Sequence, residues 1–235
     1  ISGSFTVPST AAVGSHTVVA LGQSSGVTYM SSFYVVSPSI TYIKVSPSPV
    51  LFSSTSPVTV SVTGYGFPKS TYVEICFGGR VVSTAYTNSS GIFATSFTVT
   101  PMPYGNYTVE AIATVNPVPT GSQCPITGET YEGGYASANL TVMPNLVVSP
   151  TTTCPSYTIT VAGYGFPAGK PIALLINGAV YTTIPTNNLG IFTTSYTPQS
   201  PGTYVFTTNF TATYNGVKYP TPVNVTVSPS VVYVN

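Results

Sequence analysis

The segment Gly64-Tyr65-Gly66-Phe67-Pro68 recurs later in the chain as Gly163-Tyr164-Gly165-Phe166-Pro167, at an offset of 163 − 64 = 99 residues. The offset persists beyond this pentapeptide, because Gly91-Ile92-Phe93 returns as Gly190-Ile191-Phe192 at the same spacing. Self-similarity at one fixed period is the sequence signature of a repeated structural unit. The chain is therefore predicted to contain two copies of one fold.

Shorter similarities mark the ends of the units. The motif Gly105-Asn106-Tyr107-Thr108-Val109 is matched by residues 202–206 and, near the N-terminus, by Gly14-Ser15-His16-Thr17-Val18. Residues 1–39 are therefore predicted to be the C-terminal half of a further unit, completed by sequence or by a partner outside the chain. Complete units are expected at 40–144 and 145–235, and the second one ends, at 230–234, in the first strand of another unit.

The secondary structure follows from hydrophobic alternation. Val58-Thr59-Val60-Ser61-Val62 and Tyr72-Val73-Glu74-Ile75-Cys76-Phe77 alternate with period two and are rich in β-branched and aromatic residues, which predicts β-strands. Turn pairs such as Gly78-Gly79 and Asn177-Gly178 interrupt the chain about every ten residues, a spacing typical of a β-sandwich. We expect an all-β fold without helices.

The composition restricts the classes of partner. Only 4% of the 235 residues are charged, against about a quarter in ordinary domains, and the net charge is +1 without any basic run. This pattern lacks the electrostatic footprint of a protein that binds nucleic acid or anionic lipid. No segment approaches about 18 consecutive apolar residues, so we expect no membrane insertion within this chain.

The order of these motifs resembles a known family. A glycine-rich turn ending in Phe-Pro, a strand ending in Asn-Gly or Gly-Gly, then Gly-x-Phe, a further strand and Gly-x-Tyr-x-Val resemble the immunoglobulin-like repeats of bacterial and archaeal surface proteins, over nearly the whole chain. The resemblance implies an all-β fold of tandem immunoglobulin-like β-sandwich domains, two complete plus one incomplete N-terminal half-domain. That family recurs in S-layer proteins, stalks, adhesins and fibres. The composition, poor in charge and rich in Tyr, Ser, Thr and Asn, is also similar to that of S-layer and thread proteins of thermoacidophilic archaea.

These features predict a structural subunit of an archaeal extracellular filament or S-layer, located at the cell surface and assembled head to tail with copies of itself. An incomplete sandwich exposes unpaired backbone that a donated strand can satisfy. Two alternatives stay open: an adhesin or carbohydrate-binding module, and the non-catalytic stalk of a large secreted enzyme. The candidate contact residues are four tyrosines: Tyr65, Tyr131, Tyr135 and Tyr164.

Side chains that could perform catalysis are scarce. The chain has one His, His16, no Asp, and four Glu: Glu74, Glu110, Glu129 and Glu132. Because catalysis needs titratable or metal-binding groups, we expect no enzymatic activity, no cofactor and no metal site. Alternation places Glu74 and Glu110 on the face that points away from the core, where a carboxylate pair could act as an acid or hold calcium. Solvated or hydrogen-bonded glutamates are the simpler interpretation.

Two kinds of covalent modification are predicted. Five Asn-x-Ser/Thr sequons predict N-linked glycans as partners: Asn88, Asn106, Asn139, Asn209 and Asn224. The cysteines, Cys76, Cys124 and Cys154, cannot all pair within the chain. Because Cys76 faces outward on a strand of the sheet that carries the insertion at about 116–137 with Cys124, that pairing is favoured, and Cys154 would then be free or bridge to another chain. The other two pairings remain open.

Overall fold

The computed structural model describes residues 5–7, 14–23, 26–35, 41–124 and 134–229. Within these ranges every regular element is a β-strand, so the prediction of an all-β fold is confirmed. The described part of the chain contains no helix long and apolar enough to cross a membrane. The chain divides into two compact units, Ile1–Ile40 and Thr41–Asn235.

The first unit is built around one antiparallel hairpin. Strand β1 (Gly14–Leu21) pairs with β2 (Thr28–Val35), from Gly14 opposite Val35 to Leu21 opposite Thr28. No other strand pairs with this hairpin among the described residues of the unit. Large side chains of the hairpin are exposed, including Tyr29 at 73% and Met30 at 72%.

The second unit begins with a β-sandwich of seven described strands. One sheet has the order β3-β4-β7 and the other β6-β5-β8-β9, with antiparallel neighbours throughout. The core lies between the two sheets and includes Val60, Ile75, Phe97 and Leu140. The strands are β3 (Tyr42–Ser46), β4 (Val58–Tyr65), β5 (Tyr72–Phe77), β6 (Arg80–Tyr86), β7 (Phe93–Val99), β8 (Gly105–Thr114) and β9 (Tyr135–Val142).

A second sandwich follows with the same arrangement. Its sheets have the orders β10-β12-β15 and β11-β19-β16-β13-β14, and a separate hairpin, β17-β18, lies between β16 and β19 in the chain. Its core includes Ile159, Phe166, Leu174 and Phe206. The strands are β10 (Asn145–Ser149), β11 (Thr152–Thr153), β12 (Ile159–Tyr164), β13 (Pro171–Ile176), β14 (Ala179–Pro185), β15 (Phe192–Tyr196), β16 (Gly202–Thr208), β17 (Ala212–Tyr214), β18 (Val217–Tyr219) and β19 (Val223–Val227).

The repeated glycine before Tyr65 and Tyr164 has a packing function in each sandwich. A Cβ on Gly64 would lie 2.0 Å from the Phe93 ring, and one on Gly163 would lie 2.1 Å from Phe192. Each phenylalanine ring therefore packs directly against the backbone of the neighbouring strand, where only glycine leaves room. The recurrence of Gly64 and Phe93 at the same offset is thus explained by one contact made twice.

A second repeated contact is the tyrosine corner of immunoglobulin-like domains. The Tyr107 hydroxyl donates to the carbonyl of Pro103 at 2.9 Å, and Tyr204 donates to the carbonyl of Ser200 at 2.9 Å. Together with the sheet orders, these corners identify two immunoglobulin-like sandwiches in tandem, as predicted.

Candidate assembly joints and modification sites

The two sandwiches are joined by a very short connection. Only Met143 and Pro144 lie between the last strand of the first sandwich and the first strand of the second, and both are buried. Flexible domain linkers are normally exposed and make few contacts. The connection is therefore part of a packed joint and has little freedom to bend.

Direct contacts across the joint involve backbone and aromatic groups. The Tyr104 amide donates to the Phe166 carbonyl at 3.2 Å, and the Asn145 Nδ2 donates to the Phe52 carbonyl at 3.0 Å. The Tyr104 ring meets Phe210 edge to face, with centroids 5.4 Å apart. These contacts stack the sandwiches end to end.

Most of this joint was not predicted from the sequence. Of the four candidate contact tyrosines, Tyr164 packs against the core of the first sandwich and so belongs to the joint. Tyr65 instead stacks on Tyr42 of its own sandwich at 4.8 Å, and Tyr135 donates to Glu110. Tyr131 lies outside the described residues. No side-chain pattern in the sequence indicated the joint, because its hydrogen bonds end on the carbonyls of Phe52 and Phe166.

A polar cleft of about 330 Å³ opens beside the joint. On one side are the outward-facing residues of β8 and β9, and on the other is strand β17 of the second sandwich. The cleft is lined by uncharged side chains, all but Met143 with an amide, hydroxyl or aromatic group: Tyr104, Asn106, Asn139, Thr141, Met143, Thr213 and Tyr214. Such groups can hydrogen-bond a neutral polar ligand but carry no charge to attract an ion.

All five sequon asparagines are exposed. In three of them the side-chain oxygen already accepts a hydrogen bond: Asn88 from the amides of Ser90 and Ile92, Asn106 from Thr141, and Asn209 from the Ala173 amide. The linkage to a sugar forms at the amide nitrogen, which these hydrogen bonds do not use. Asn139 and Asn224 occupy matching positions in β9 and β19.

Two of the three cysteines connect the insertion to the sheet. Cys76 and Cys124 form a disulfide that ties the segment after β8 to the outer face of β5, where the two cysteines pack with Val81 and Ile112. Cys154 is a half-buried free thiol. The insertion is shorter than the 116–137 expected, because β9 already begins at Tyr135.

Glu74 lies on the outer face of β5, and that face is covered by another segment of the chain. Alternation does point Glu74 and Cys76 away from the main core, but the insertion covers them, and their exposures are 0% and 1%. The Glu74 Oε1 accepts a hydrogen bond from the Val118 amide in that insertion. Glu110, diagonally adjacent on β8, accepts instead from Tyr135 at 2.7 Å. The two carboxylates thus have separate hydrogen-bonding partners, and Glu129 and Glu132 lie outside the described residues.

Metal-binding residues do not cluster in the described part of the chain, where no group of three His, Cys, Asp or Glu side chains could hold an ion. The lone histidine, His16, is half-buried and lies in β1, at the position of the corner tyrosines.

Comparison with known proteins gives fold-level likeness only. No family model matches the sequence, and a search among curated proteins finds no relative. Among solved structures, the teleost fish polymeric Ig receptor ectodomain is similar with TM-score 0.32 and 12% identity, covering 74% of this chain and 93% of that one. The Yersinia pseudotuberculosis adhesin InvE has TM-score 0.32 and 14% identity over 81% of this chain and 59% of that one. Invasin, a bacterial integrin-binding protein, has TM-score 0.30 and 15% identity over 81% and 39%. Similarities at this level of identity and TM-score do not support a conclusion about the function of this chain.

Proposed function

We propose that this chain is a non-catalytic structural subunit of an extracellular assembly, a filament or S-layer on an archaeal cell, in which copies join head to tail. The observation that carries the proposal is the β1–β2 hairpin. It has the register of a sandwich hairpin, but Tyr29 on its core-facing side is 73% exposed.

Three antiparallel strand pairs among the described residues share one register: β1–β2, β8–β9 and β16–β19. Each begins with a glycine opposite a closing valine: Gly14 with Val35, Gly105 with Val142, and Gly202 with Val227. In this alignment Tyr29 takes the position of Ala136, which is 6% exposed in the core of the first sandwich, whereas Tyr29 is 73% exposed. The hairpin therefore presents a core-type face without a covering sheet among the described residues of its unit.

An isolated two-stranded hairpin is at best marginally stable in water, and its edges are templates for further strands. In both sandwiches the counterpart of β1 pairs on its other side with a third strand, β8 with β5 and β16 with β13. The counterpart of β2 also receives a parallel partner, as β19 does from β11. Among the described residues of its unit, no strand occupies either of these places beside the hairpin.

The C-terminal segment 230–234, Ser-Val-Val-Tyr-Val, is the candidate donor. It lies outside the described residues, and its sequence resembles the segments 40–43 and 145–148 that open the two complete units. The strands that begin there, β3 and β10, belong to the sheets that pack against β9 and β19. A donated segment of this kind would therefore cover the core-type face of the hairpin. The packed joint between the two sandwiches supports the same proposal, because it shows how immunoglobulin-like units of this chain stack end to end without a flexible linker.

The proposed extracellular location is supported by covalent chemistry. Stable disulfides are typical of oxidising compartments, and Cys76 is joined to Cys124. All five sequons present their asparagines at the surface. Glycans there would supply the solubility that a surface with so few charges lacks.

Electron microscopy of the purified chain at increasing concentration tests the assembly. We expect fibres or a lattice in the wild-type protein and in Tyr157→Asp, an equally exposed tyrosine of the second sandwich at 68%. Tyr29→Asp should remain monomeric, because a carboxylate on the core-type face opposes burial. Assembly of Tyr29→Asp to the wild-type extent would contradict the role of the hairpin.

A synthetic peptide with the sequence of residues 228–235 provides an independent test. If strand donation joins the copies, the peptide should cap the hairpin and shorten the fibres, whereas a scrambled peptide should not. Monomers at every concentration, together with binding on a glycan array, would favour the adhesin alternative.

A further inference from the structure

Two glycosylation sequons lie side by side on neighbouring strands. Asn106-Tyr107-Thr108 of β8 pairs antiparallel with Asn139-Leu140-Thr141 of β9, so that Asn106 is opposite Thr141 and Thr108 is opposite Asn139. The Thr141 hydroxyl donates to the Asn106 Oδ1 at 2.8 Å. Each asparagine therefore faces the threonine of the other sequon.

Both asparagines open into the same space. They lie diagonally on one face of the sheet, where such neighbours are about 7–8 Å apart. Both line the cleft of about 330 Å³ beside the joint, which Tyr104 closes from the first sandwich and Tyr214 from the second. That volume is at the lower end of small-molecule sites, about 300–1,000 Å³, so the cleft has room for one small ligand.

We propose that this cleft holds a single N-linked sugar, so that Asn106 and Asn139 are mutually exclusive glycosylation sites. The inference rests on the proposed extracellular, glycosylated state of the chain. In the modification, the asparagine Nδ2 displaces the phosphate leaving group from C1 of an activated sugar donor and loses one proton. A sugar on either asparagine then occupies the cleft, beside the amide and hydroxyl groups that line it, and excludes a second sugar.

The second sandwich supplies an internal comparison. There Asn224 is opposite Val205, and Thr226 is opposite Thr203, so the position of Asn139 is repeated without a second sequon across from it. Asn224 should therefore be modified independently of any other site.

The test is a count of glycans by intact mass on the full chain secreted from a host that glycosylates Asn-x-Ser/Thr. A variant that keeps only the cleft pair, Asn88→Gln with Asn209→Gln and Asn224→Gln, should carry one glycan and never two. Adding Asn106→Gln or Asn139→Gln should leave one glycan in each case, because the remaining site becomes the acceptor. The matched control keeps Asn139 and Asn224 and carries Gln at 88, 106 and 209; it should carry two.

Two glycans on the variant with the cleft pair would overturn the exclusive choice. A single-site variant without a glycan would also overturn it, since the missing second glycan would then reflect an unusable sequon. If the control carries no glycan at all, the proposed glycosylation fails together with this inference, whereas a control with two glycans separates the two outcomes.

Discussion

The two sandwiches have corresponding inner cores and differ on the outer face of one equivalent strand, β5 in the first and β13 in the second. In the first, the insertion and its disulfide cover β5, so that Glu74 and Cys76 are buried. In the second, the matching residues of β13, Ala173 and Leu175, are only half-buried, and the segment after β16 forms the β17–β18 hairpin instead. Both repeats keep apolar residues on the sheet faces that pack against each other. The outer face differs between them, because another segment can cover it, a disulfide can crosslink it, or it can pack in a joint between sandwiches.

The largest expected difference concerns the disulfide. Cys76→Ala combined with Cys124→Ala removes a crosslink between residues 48 positions apart, and we expect the first sandwich to lose about 4 kcal/mol of unfolding free energy by the chain-entropy estimate. Hydrogen exchange resolved by peptide should show faster exchange in β5 and β8 and little change in β13 and β16. Cys154→Ala is the control and should behave as wild type. Equally faster hydrogen exchange in both sandwiches would contradict the expectation that the disulfide stabilises only the first one.

The next effect should be the same in both sandwiches. Gly64→Ala and Gly163→Ala each place a Cβ inside the volume of a phenylalanine ring, and we expect a loss of about 1–3 kcal/mol in each case. Thermal unfolding measures the loss. In the double variant Gly64→Ala with Phe93→Leu the two effects should not add, because the smaller side chain relieves the contact. Additive losses would show that the ring contact is not the cause.

An asymmetric effect is expected where the outer segment is hydrogen-bonded to the sheet. Glu74→Ala removes the acceptor of the Val118 amide from a buried site, which should cost about 1–3 kcal/mol and accelerate exchange at residues 115–124. Glu74→Gln retains an acceptor oxygen and should stay closer to wild type.

The matching change in the second sandwich is Asn209→Ala, which removes the acceptor of the Ala173 amide. Because this site is exposed and water can replace the acceptor, we expect a loss of only about 0.5 kcal/mol. These variants are compared in unglycosylated protein, since Asn209 belongs to a sequon. A larger loss for Asn209→Ala than for Glu74→Ala would reverse the proposed difference.

The tyrosine corners should give an effect of equal size in both sandwiches. Tyr107→Phe and Tyr204→Phe each remove one hydroxyl-to-carbonyl hydrogen bond, and denaturant titration should show a loss of about 1 kcal/mol in each sandwich.

The pH dependence distinguishes Tyr107 further. Burial raises the pKa of Tyr107 above its ordinary value, so the neutral phenol is favoured in the folded state. Its contribution to stability is therefore constant below about pH 10 and is lost as the pH rises through the higher folded pKa. Tyr107→Phe should flatten the alkaline decline in unfolding free energy, and an unchanged decline would exclude Tyr107 as its source.

The core was predictable because its signal is local and repeated. Alternation along β5 identified Val73 and Ile75 as inward-facing, and both are fully buried. The same alternation placed Glu74 and Cys76 on the outer face but did not indicate that they are buried, because burial of an outer face depends on which other segment covers it. The joint was largely missed for a similar reason, since its hydrogen bonds end on the carbonyls of Phe52 and Phe166, which carry no side-chain signal.

The sequence by itself determined the class of fold and the recurrence of one unit at an offset of 99 residues. The reason is physical: the side-chain period of two decides which face of each strand is buried. A strand whose backbone packs directly against a phenylalanine ring also needs glycine at the contact, so both patterns recur in each unit. Only the tertiary structure decided that Asn106 faces Thr141, that the insertion buries Glu74, and that Met143 and Pro144 are packed into a joint. Those arrangements depend on residues that are distant in the chain or on contacts made by the backbone, and a local sequence pattern indicates neither.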